Sequence, residues 1–137
     1  MQTFLPYENF EQTARCLDYR RLGKQRVEAR QIWNILTGNA KSNAWAHHPA
    51  VLMWKGFDKA LAMYHNVIIE EWIKRGYNNN MTFIDIEQNV QLPKWIGNEM
   101  FHRSHQSNLL RKDFNYYSQF NWDISDNLEY VWPKEEK

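Results

Sequence analysis

Residues 17–30 read Leu-Asp-Tyr-Arg-Arg-Leu-Gly-Lys-Gln-Arg-Val-Glu-Ala-Arg, and they carry five of the chain's 17 basic residues. On a helix, the 3.6-residue period places Arg20, Lys24 and Glu28 on one stripe. Cations this close together repel each other, so folding alone does not favour the arrangement, whereas a bound phosphate would relieve the repulsion. The alternative is a helix face that contacts only water and carries i,i+4 ion pairs such as Lys24–Glu28. The stretch therefore predicts a helix whose charged face either binds an anion or faces only water.

The apolar residues around this stretch repeat at helical spacing, which extends the predicted helix in both directions. Asn9 suits the N-cap position, and Gly38 suits the stop. We therefore expect one helix from about Asn9 to about Leu36, bent at Gly23 because glycine weakens a helix interior. Residues 1–8 are expected to be an extended lead-in, and residues 38–48 a polar loop.

Similar signals predict further helices downstream. Pro49 suits a first helical position, Gly76 suits a C-cap, and Asn98 suits an N-cap. The segment Met81–Val90 is ambiguous between a short strand and an extended linker. The rings near Tyr130 are expected to pack back onto the domain. The expected elements after the first helix are a short helix from Pro49 through Trp54, a long helix from about Phe57 to Arg75, a helix from Asn98 through about Lys112, and a short helix or turn near Asn115–Phe120.

Length and composition indicate a folded domain. The chain has 137 residues, of which 43% are hydrophobic and 24% charged, so we expect residues 1–137 to form a single domain, a compact all-α helical bundle. The net charge of +1 excludes a general polycation, so nucleic-acid binding would depend on local patches. A lone cysteine excludes a disulfide within the chain. With no signal peptide and no apolar run of about 18 residues, we expect a cytoplasmic protein that does not enter the membrane.

A second polar cluster, His102–Asp113, contains two histidines one helical turn apart, and the pair His47-His48 lies upstream. Three interpretations are open for His102 and His105. In the first, they are half-buried and hydrogen-bonded beside apolar neighbours. In the second, they contact phosphate or act as general acid and base. In the third, they bind zinc together with one histidine of the upstream pair, although the spacing matches no standard zinc motif.

Several motifs carry a family resemblance. Residues 70–78 read Glu-Glu-Trp-Ile-Lys-Arg-Gly-Tyr-Asn, and residues 18–22 read Asp-Tyr-Arg-Arg-Leu. The chain also contains Arg-Arg-Leu-Gly-Lys-Gln-Arg-Val-Glu, His-Pro-Ala-Val-Leu-Met-Trp and His-Arg-Ser-His-x-Ser-x-Leu-Leu-Arg-Lys-Asp. Together these motifs resemble the pyrimidine-dimer DNA glycosylases of the T-even phage endonuclease V type, and most closely the bacterial and phage members assigned to that family by inference. The resemblance to these members spans nearly the whole chain, whereas the resemblance to the characterised enzymes is weaker and covers about the middle half.

The resemblance implies an all-α fold and a glycosylase with β-lyase activity that needs no metal. In that family the α-amino group of a processed N-terminus attacks the sugar C1′ and forms a Schiff base, a glutamate on the first helix assists, and arginines grip the phosphates of a kinked duplex. This chain differs at two positions. Gln2 is too bulky for ordinary removal of the preceding methionine, so the amine would belong to Met1. Arg21 occupies the position of the family's glutamate, and Glu28, about two turns further on, is the expected substitute.

The residues and the resemblance together define one candidate site, provided that the two polar clusters meet in space. The expected catalytic residues are Glu28, His105, His102 and Met1. The expected ligands of nucleic acid or phosphate are Arg20, Arg21, Lys24, Arg26, His47, His48, Arg103, Ser104, Ser107, Arg111 and Lys112. We expect no metal ion, no cofactor, and DNA or a nucleotide as the partner.

The leading hypothesis is a DNA glycosylase and AP lyase acting on damaged or modified pyrimidines. The first alternative is a binding module on the same fold that holds a nucleotide or nucleic-acid end without cutting it, because Arg21 replaces a carboxylate. The second alternative is a nucleotide hydrolase or transferase that uses His102, His105 and Glu28. Whether the chain is an enzyme therefore stays open, and trapping of a Schiff base by borohydride would separate the first hypothesis from the other two.

Overall fold

The structure, a computed structural model, describes residues 1–42, 44–86 and 89–133. Within these residues the chain is helical and contains no strand, so the all-α prediction is confirmed. The helices are α1 Phe10–Cys16, α2 Tyr19–Leu36, α3 Pro49–Leu52, α4 Asp58–Lys74, α5 Glu99–Lys112 and α6 Phe114–Tyr117, followed by a 3₁₀ turn at Ser118–Phe120.

The predicted long first helix is in fact two helices, α1 and α2, so that prediction is wrong at its centre. Leu17, between them, is extended with φ −70° and ψ 136°. Asp18 follows as the N-cap of α2, and its carboxylate accepts hydrogen bonds from the Tyr117 hydroxyl and from Arg21. The break is thus held by a tyrosine from a distant part of the chain, and Gly23 lies inside a continuous helix instead of marking a bend.

Helix α2 packs chiefly against α4, and Gly23 lies where the two helices meet. A Cβ on Gly23 would lie 3.0 Å from Cζ3 of Trp72, so a larger residue would force the helices to shift. One turn further along α2, the Arg26 guanidinium lies over the Trp72 ring at 4.6 Å and donates to the Asn79 side chain at 3.0 Å. Trp72 therefore anchors the contact between the two longest helices.

The first six residues form an extended segment that runs between α2 and α5, with residues 3–6 buried. The Phe4 N–H donates to Gln25 Oε1 at 3.0 Å, and the Tyr64 hydroxyl lies 2.7 Å from both that oxygen and the Phe4 carbonyl oxygen. Gln25 also donates to the Gln2 carbonyl oxygen at 2.8 Å. The extended lead-in is confirmed, and its buried hydrogen bonds fix the position of the N-terminus.

Residues 122–133 return over α5, and we call them the C-terminal strap. Ser104 and Ser107 accept backbone N–H groups of the strap at 3.1 and 2.9 Å, and Arg111 donates to a strap carbonyl oxygen at 2.7 Å. The Tyr130 ring stands 5.4 Å from the ring of His105. The prediction that the terminal rings pack back onto the domain is therefore confirmed.

Three predicted helix ends are confirmed by their local geometry. Pro49 is the first residue of α3, and Asn98 caps α5 by accepting the Phe101 N–H at 3.1 Å. Gly76 follows the end of α4 with a φ of +88°, a left-handed conformation that favours glycine.

Some predicted segments include residues outside the described ones. Asn43 belongs to the predicted polar loop, and residues 87 and 88 belong to the ambiguous segment Met81–Val90, whose described residues form neither helix nor strand. The extent of the single domain, 1–137, stays a prediction. Among the described helices, none combines the length and the apolar character needed to cross a bilayer.

Candidate active site

Glu28 lies on α2 beside the first residues of the chain and is only 8% exposed. Its Oε2 accepts the backbone N–H of Gln2 at 2.9 Å, and its Oε1 lies 3.6 Å from Lys24 Nζ. Because Lys24 is mostly exposed, the ion pair contributes little, and the bond from the backbone is the one that fixes the carboxylate. Glu28 is thus held one residue away from the first amino group of the chain.

His48 lies at the same end of the site. Its Nδ1 accepts the N–H of Ala50 at 3.0 Å, which caps α3. Burial lowers the pKa of His48, the positive charge of the Met1 amino group lowers it further, and Glu28 opposes the shift. The charges of the amino group and of the carboxylate therefore act on the His48 ring in opposite directions.

Aromatic rings from two parts of the chain surround His48. The centre of the Trp45 ring lies 5.5 Å from the centre of the His48 ring. The Trp132 ring of the strap packs edge-to-face against His48, with 6.0 Å between the ring centres. Tyr130 stands 5.6 Å from Trp132; burial raises the pKa of its hydroxyl to about 12, and the charge of Glu28 adds to that rise. The strap therefore supplies two aromatic rings, Tyr130 and Trp132, to the surroundings of His48.

A cleft of about 640 Å³ opens between the start of α2 and the end of α5. Burial lowers the pKa of Lys112, and the positive charges of Arg21, Lys24 and Arg111 lower it further. Cations destabilise one another here, and a bound polyanion would reverse that effect. The charged residues that line this cationic cleft are Asp18, Arg20, Arg21, Lys24, Lys112 and Asp113.

The two predicted polar clusters meet in part. Lys112, from the second cluster, lines the same cleft as Arg21 and Lys24 from the first. Phe4 also lines this cleft, so the extended N-terminal segment runs between the clusters. The cleft and the buried carboxylate of Glu28 are therefore adjoining parts of one region.

Five predicted phosphate ligands instead hold other parts of the chain. Arg26 lies against α4, as described above, and Ser104 and Ser107 bind the strap. Arg111 donates to strap carbonyl oxygens, and Arg103 donates to another at 3.0 Å. A phosphate would have to displace these internal hydrogen bonds, so these five side chains are poor candidates for binding DNA.

His102 and His105 bind both polar groups of the Leu5 peptide. His105 Nδ1 accepts the Leu5 N–H at 3.0 Å, and His102 Nδ1 donates to the Leu5 carbonyl oxygen at 2.8 Å. His102 Nε2 accepts the Gly97 N–H at 2.9 Å. Burial lowers the pKa of both rings, that of His105 to about 3, so both are neutral near pH 7. These contacts favour the first interpretation, in which the histidines are buried and hydrogen-bonded.

The zinc interpretation has no support in the part of the chain that the structure describes. There, no group of three His, Cys, Asp or Glu side chains is placed to share a metal ion. His47 is exposed at the surface, whereas His102 and His105 are buried against the N-terminal segment.

Sequence reasoning missed three contributors to this region. Gln2 fixes Glu28 through its backbone, Gln25 holds the N-terminal segment, and Trp132 contacts His48. Gln25 lies one helical turn before Glu28, so its spacing was an available signal. Trp132 carried only the weaker signal of an aromatic-rich C-terminus.

A cleft lined by clustered cations is the kind of local basic patch through which proteins bind nucleic acid. A family model described as pyrimidine dimer DNA glycosylase matches residues 1–85, more than half of the chain. The chain belongs to the pyrimidine dimer DNA glycosylase family. No curated protein and no solved structure matches it. Family membership supports a DNA-repair function of the glycosylase type, with DNA as the substrate.

Proposed function

We propose that this protein is a DNA glycosylase and AP lyase that acts on damaged or modified pyrimidines, with the Met1 amino group as nucleophile and Glu28 as its acid–base partner. The observation that carries the proposal is the 2.9 Å hydrogen bond from the Gln2 N–H to Glu28 Oε2. This bond holds a buried carboxylate one residue from the first amino group. Arg21 occupies the position where the family resemblance places a glutamate, and Glu28 supplies a carboxylate from about two turns further along α2.

The reaction begins with the unprotonated form of the Met1 amine, which is the nucleophile. The amino nitrogen bonds to C1′ of the deoxyribose, and the bond from C1′ to the base breaks. Opening of the sugar ring then leaves an imine, and the two amine protons pass to the departing base and to the ring oxygen, with Glu28 as their carrier. Glu28 next removes a proton from C2′, a double bond forms between C2′ and C3′, and the bond between C3′ and its phosphate oxygen breaks, so that the downstream strand leaves with that electron pair as a 5′-phosphate.

The remaining site residues either bind the DNA phosphates or position the N-terminal segment. His102 and His105 hold the Leu5 peptide and thereby fix where Met1 lies, without touching the DNA. The charges of the amine and of the carboxylate shift the pKa of His48 in opposite directions. The groups that bind phosphates in this proposal are the cations that line the cleft, Arg20, Arg21, Lys24 and Lys112, although Arg21 also donates to the Asp18 carboxylate.

A non-catalytic DNA-binding module is the second candidate, because Arg21 is a cation where the family pattern has a carboxylate. A nucleotide hydrolase would need His102 and His105 as acid and base. Their burial and their hydrogen bonds to Leu5 do not support that role.

Incubation of the full-length protein with borohydride and duplex DNA containing a thymine dimer or an abasic site should trap a covalent protein–DNA complex. Borohydride reduces the imine to a stable amine, so the complex survives denaturation. Peptide mapping should locate the adduct on Met1. An adduct on Gln2 would mean that Met1 is removed and that the Gln2 nitrogen, which already lies 2.9 Å from Glu28, is the nucleophile.

The matched control is the same protein with a short extension before Met1, which keeps every side chain and moves the amine. Equal trapping by the extended protein, or an adduct mapped to a lysine, would contradict the proposed nucleophile. If folded wild-type protein binds the DNA tightly and forms no adduct, the binding module is the better description.

Lys112→Gln should weaken DNA binding to a similar extent for all DNA sequences, because a phosphate contact carries no base information. The slope of log affinity against log salt concentration should fall in magnitude by about 0.9, the contribution of one neutralised phosphate. Fluorescence anisotropy of a labelled duplex across a salt series measures both effects. Lys74→Gln is the control, since Lys74 lines a different cleft between α1 and α4. An unchanged slope for Lys112→Gln would remove this lysine from the set of phosphate ligands.

A further inference from the structure

A row of aromatic rings continues along the surface from the cationic cleft. The Tyr19 ring lies 6.2 Å from the Tyr77 ring, which in turn lies 4.5 Å from the Trp72 ring. Tyr19 is 52% exposed and Tyr77 is 40% exposed, so folding leaves much of both rings in water. We call Tyr19 and Tyr77 the tyrosine pair.

The fold holds the tyrosine pair in place without a ligand. Tyr19 is the first residue of α2, and Tyr77 directly follows Gly76, whose positive φ turns the chain at the end of α4. Trp72 supports Tyr77 and donates its Nε1–H to the Asn78 carbonyl oxygen at 2.7 Å. Because the rings are already ordered, a base that stacks on them would cost little conformational entropy.

Positive charge lies at one end of the tyrosine pair. The Arg20 guanidinium stands 5.9 Å from the centre of the Tyr19 ring. Tyr19 and Arg20 also line the cationic cleft, together with Lys24 and Lys112. A DNA strand whose phosphates occupy the cleft would therefore bring its neighbouring bases towards the exposed rings.

We propose that the tyrosine pair is a stacking platform for an unpaired base of the DNA strand whose phosphates lie in the cationic cleft. Every base has a flat face that can stack on an aromatic ring, whereas bases inside a duplex cover each other's faces. The platform therefore favours single-stranded or distorted DNA over a regular duplex. This inference rests on the proposed function only in taking DNA as the ligand, and it does not depend on the lyase chemistry.

Tyr77→Ala in the full-length protein should weaken the binding of a short, fluorescently labelled single strand by about 5- to 100-fold, the range seen for loss of one base–aromatic contact. Tyr77→Phe keeps the ring and should bind like the wild type. Phe83→Ala is the surface control, because Phe83 is 50% exposed and lines a different cleft. The Phe83→Ala variant should bind the single strand as tightly as the wild type does.

The salt dependence of binding separates stacking from phosphate contact. Tyr77→Ala removes no charge, so the slope of log affinity against log salt concentration should stay that of the wild type. Tyr19→Ala is an independent second variant, and thermal melting identifies which variants are folded. Unchanged affinity in the folded variants would overturn the platform, and so would a lowered salt slope.

Borohydride trapping on the same proteins distinguishes this inference from the proposed lyase. If the wild type forms no adduct but Tyr77→Ala binds single strands more weakly, the lyase chemistry fails and the platform stands. If the wild type forms the adduct and both alanine variants bind single strands normally, the platform fails and the lyase chemistry stands.

Discussion

Glu28→Gln should slow the formation of the borohydride-trapped complex by about 10²- to 10⁴-fold, the usual contribution of a general acid–base group. The amide retains an oxygen that can accept the Gln2 N–H, so the N-terminal segment should keep its position. It cannot accept a proton, so the proton transfers that accompany attack and elimination lose their carrier. Single-turnover kinetics on duplex DNA containing a thymine dimer measure the effect directly.

DNA affinity provides the internal check on Glu28→Gln. The substitution removes a negative charge beside Lys24, so binding should be unchanged or slightly tighter while the chemistry slows. Glu70→Gln, an exposed change on α4, is the matched control and should leave both quantities unchanged. Equal rates for Glu28→Gln and the wild type would mean that Glu28 only accepts the backbone hydrogen bond of Gln2 and takes no part in proton transfer.

Mild acid should destabilise the protein through His105. An unfolded histidine titrates near pH 6.5, whereas burial lowers the pKa of His105 to about 3 in the folded state. Between these values the unfolded chain binds the proton and the folded protein does not. The free energy of unfolding is therefore retained above about pH 6.5 and falls as the pH drops through 3, by roughly 5 kcal/mol in total.

Other histidines reinforce the acid effect. Burial lowers the pKa values of His48, His65 and His102 as well, so these rings shift stability in the same direction. Protonated His105 would also have no lone pair at Nδ1 to accept the Leu5 N–H. Protonation of His105 should therefore weaken the attachment of the N-terminal segment.

Urea unfolding at about pH 7 and about pH 4.5 measures the pH dependence. His105→Asn offers an oxygen as acceptor near the position of Nδ1 and does not titrate. This variant should lose clearly less stability than the wild type on acidification, whatever its stability at pH 7. His47→Asn alters an exposed histidine and should behave like the wild type. Identical pH dependence in His105→Asn and the wild type would refute the assignment.

Local signals in the sequence were enough for several helix ends but not for the break between α1 and α2. Pro49 and Asn98 act within one turn of their own helices, so their roles are visible from the sequence. Asp18 is bound by Tyr117, 99 residues away, and no local pattern contains that information. The spacing of apolar residues continued across residues 17 and 18, so it predicted one helix where the structure has two.

In the candidate site, too, some features are visible in the local sequence and others depend on distant residues. Charge repetition singled out Glu28 and the cations of α2, because that signal is local. The role of Gln2 depends on a hydrogen bond across 26 residues of chain. The basic side chains of α5 looked alike in the sequence, yet Arg103 and Arg111 bind the strap while Lys112 lines the cleft. The path of the strap decides which of these side chains is occupied and which stays available, and the local sequence does not show that path.

The bond between Leu5 and His105 joins residues that are 100 positions apart. The N-terminal segment is therefore synthesised about 100 residues before the α5 histidine that binds it. At about 5–20 residues per second, that interval lasts about 5–20 s. Until α5 has been made, the Leu5 peptide has neither of its histidine partners. The full set of hydrogen bonds that positions Gln2 beside Glu28 can therefore form only after that interval.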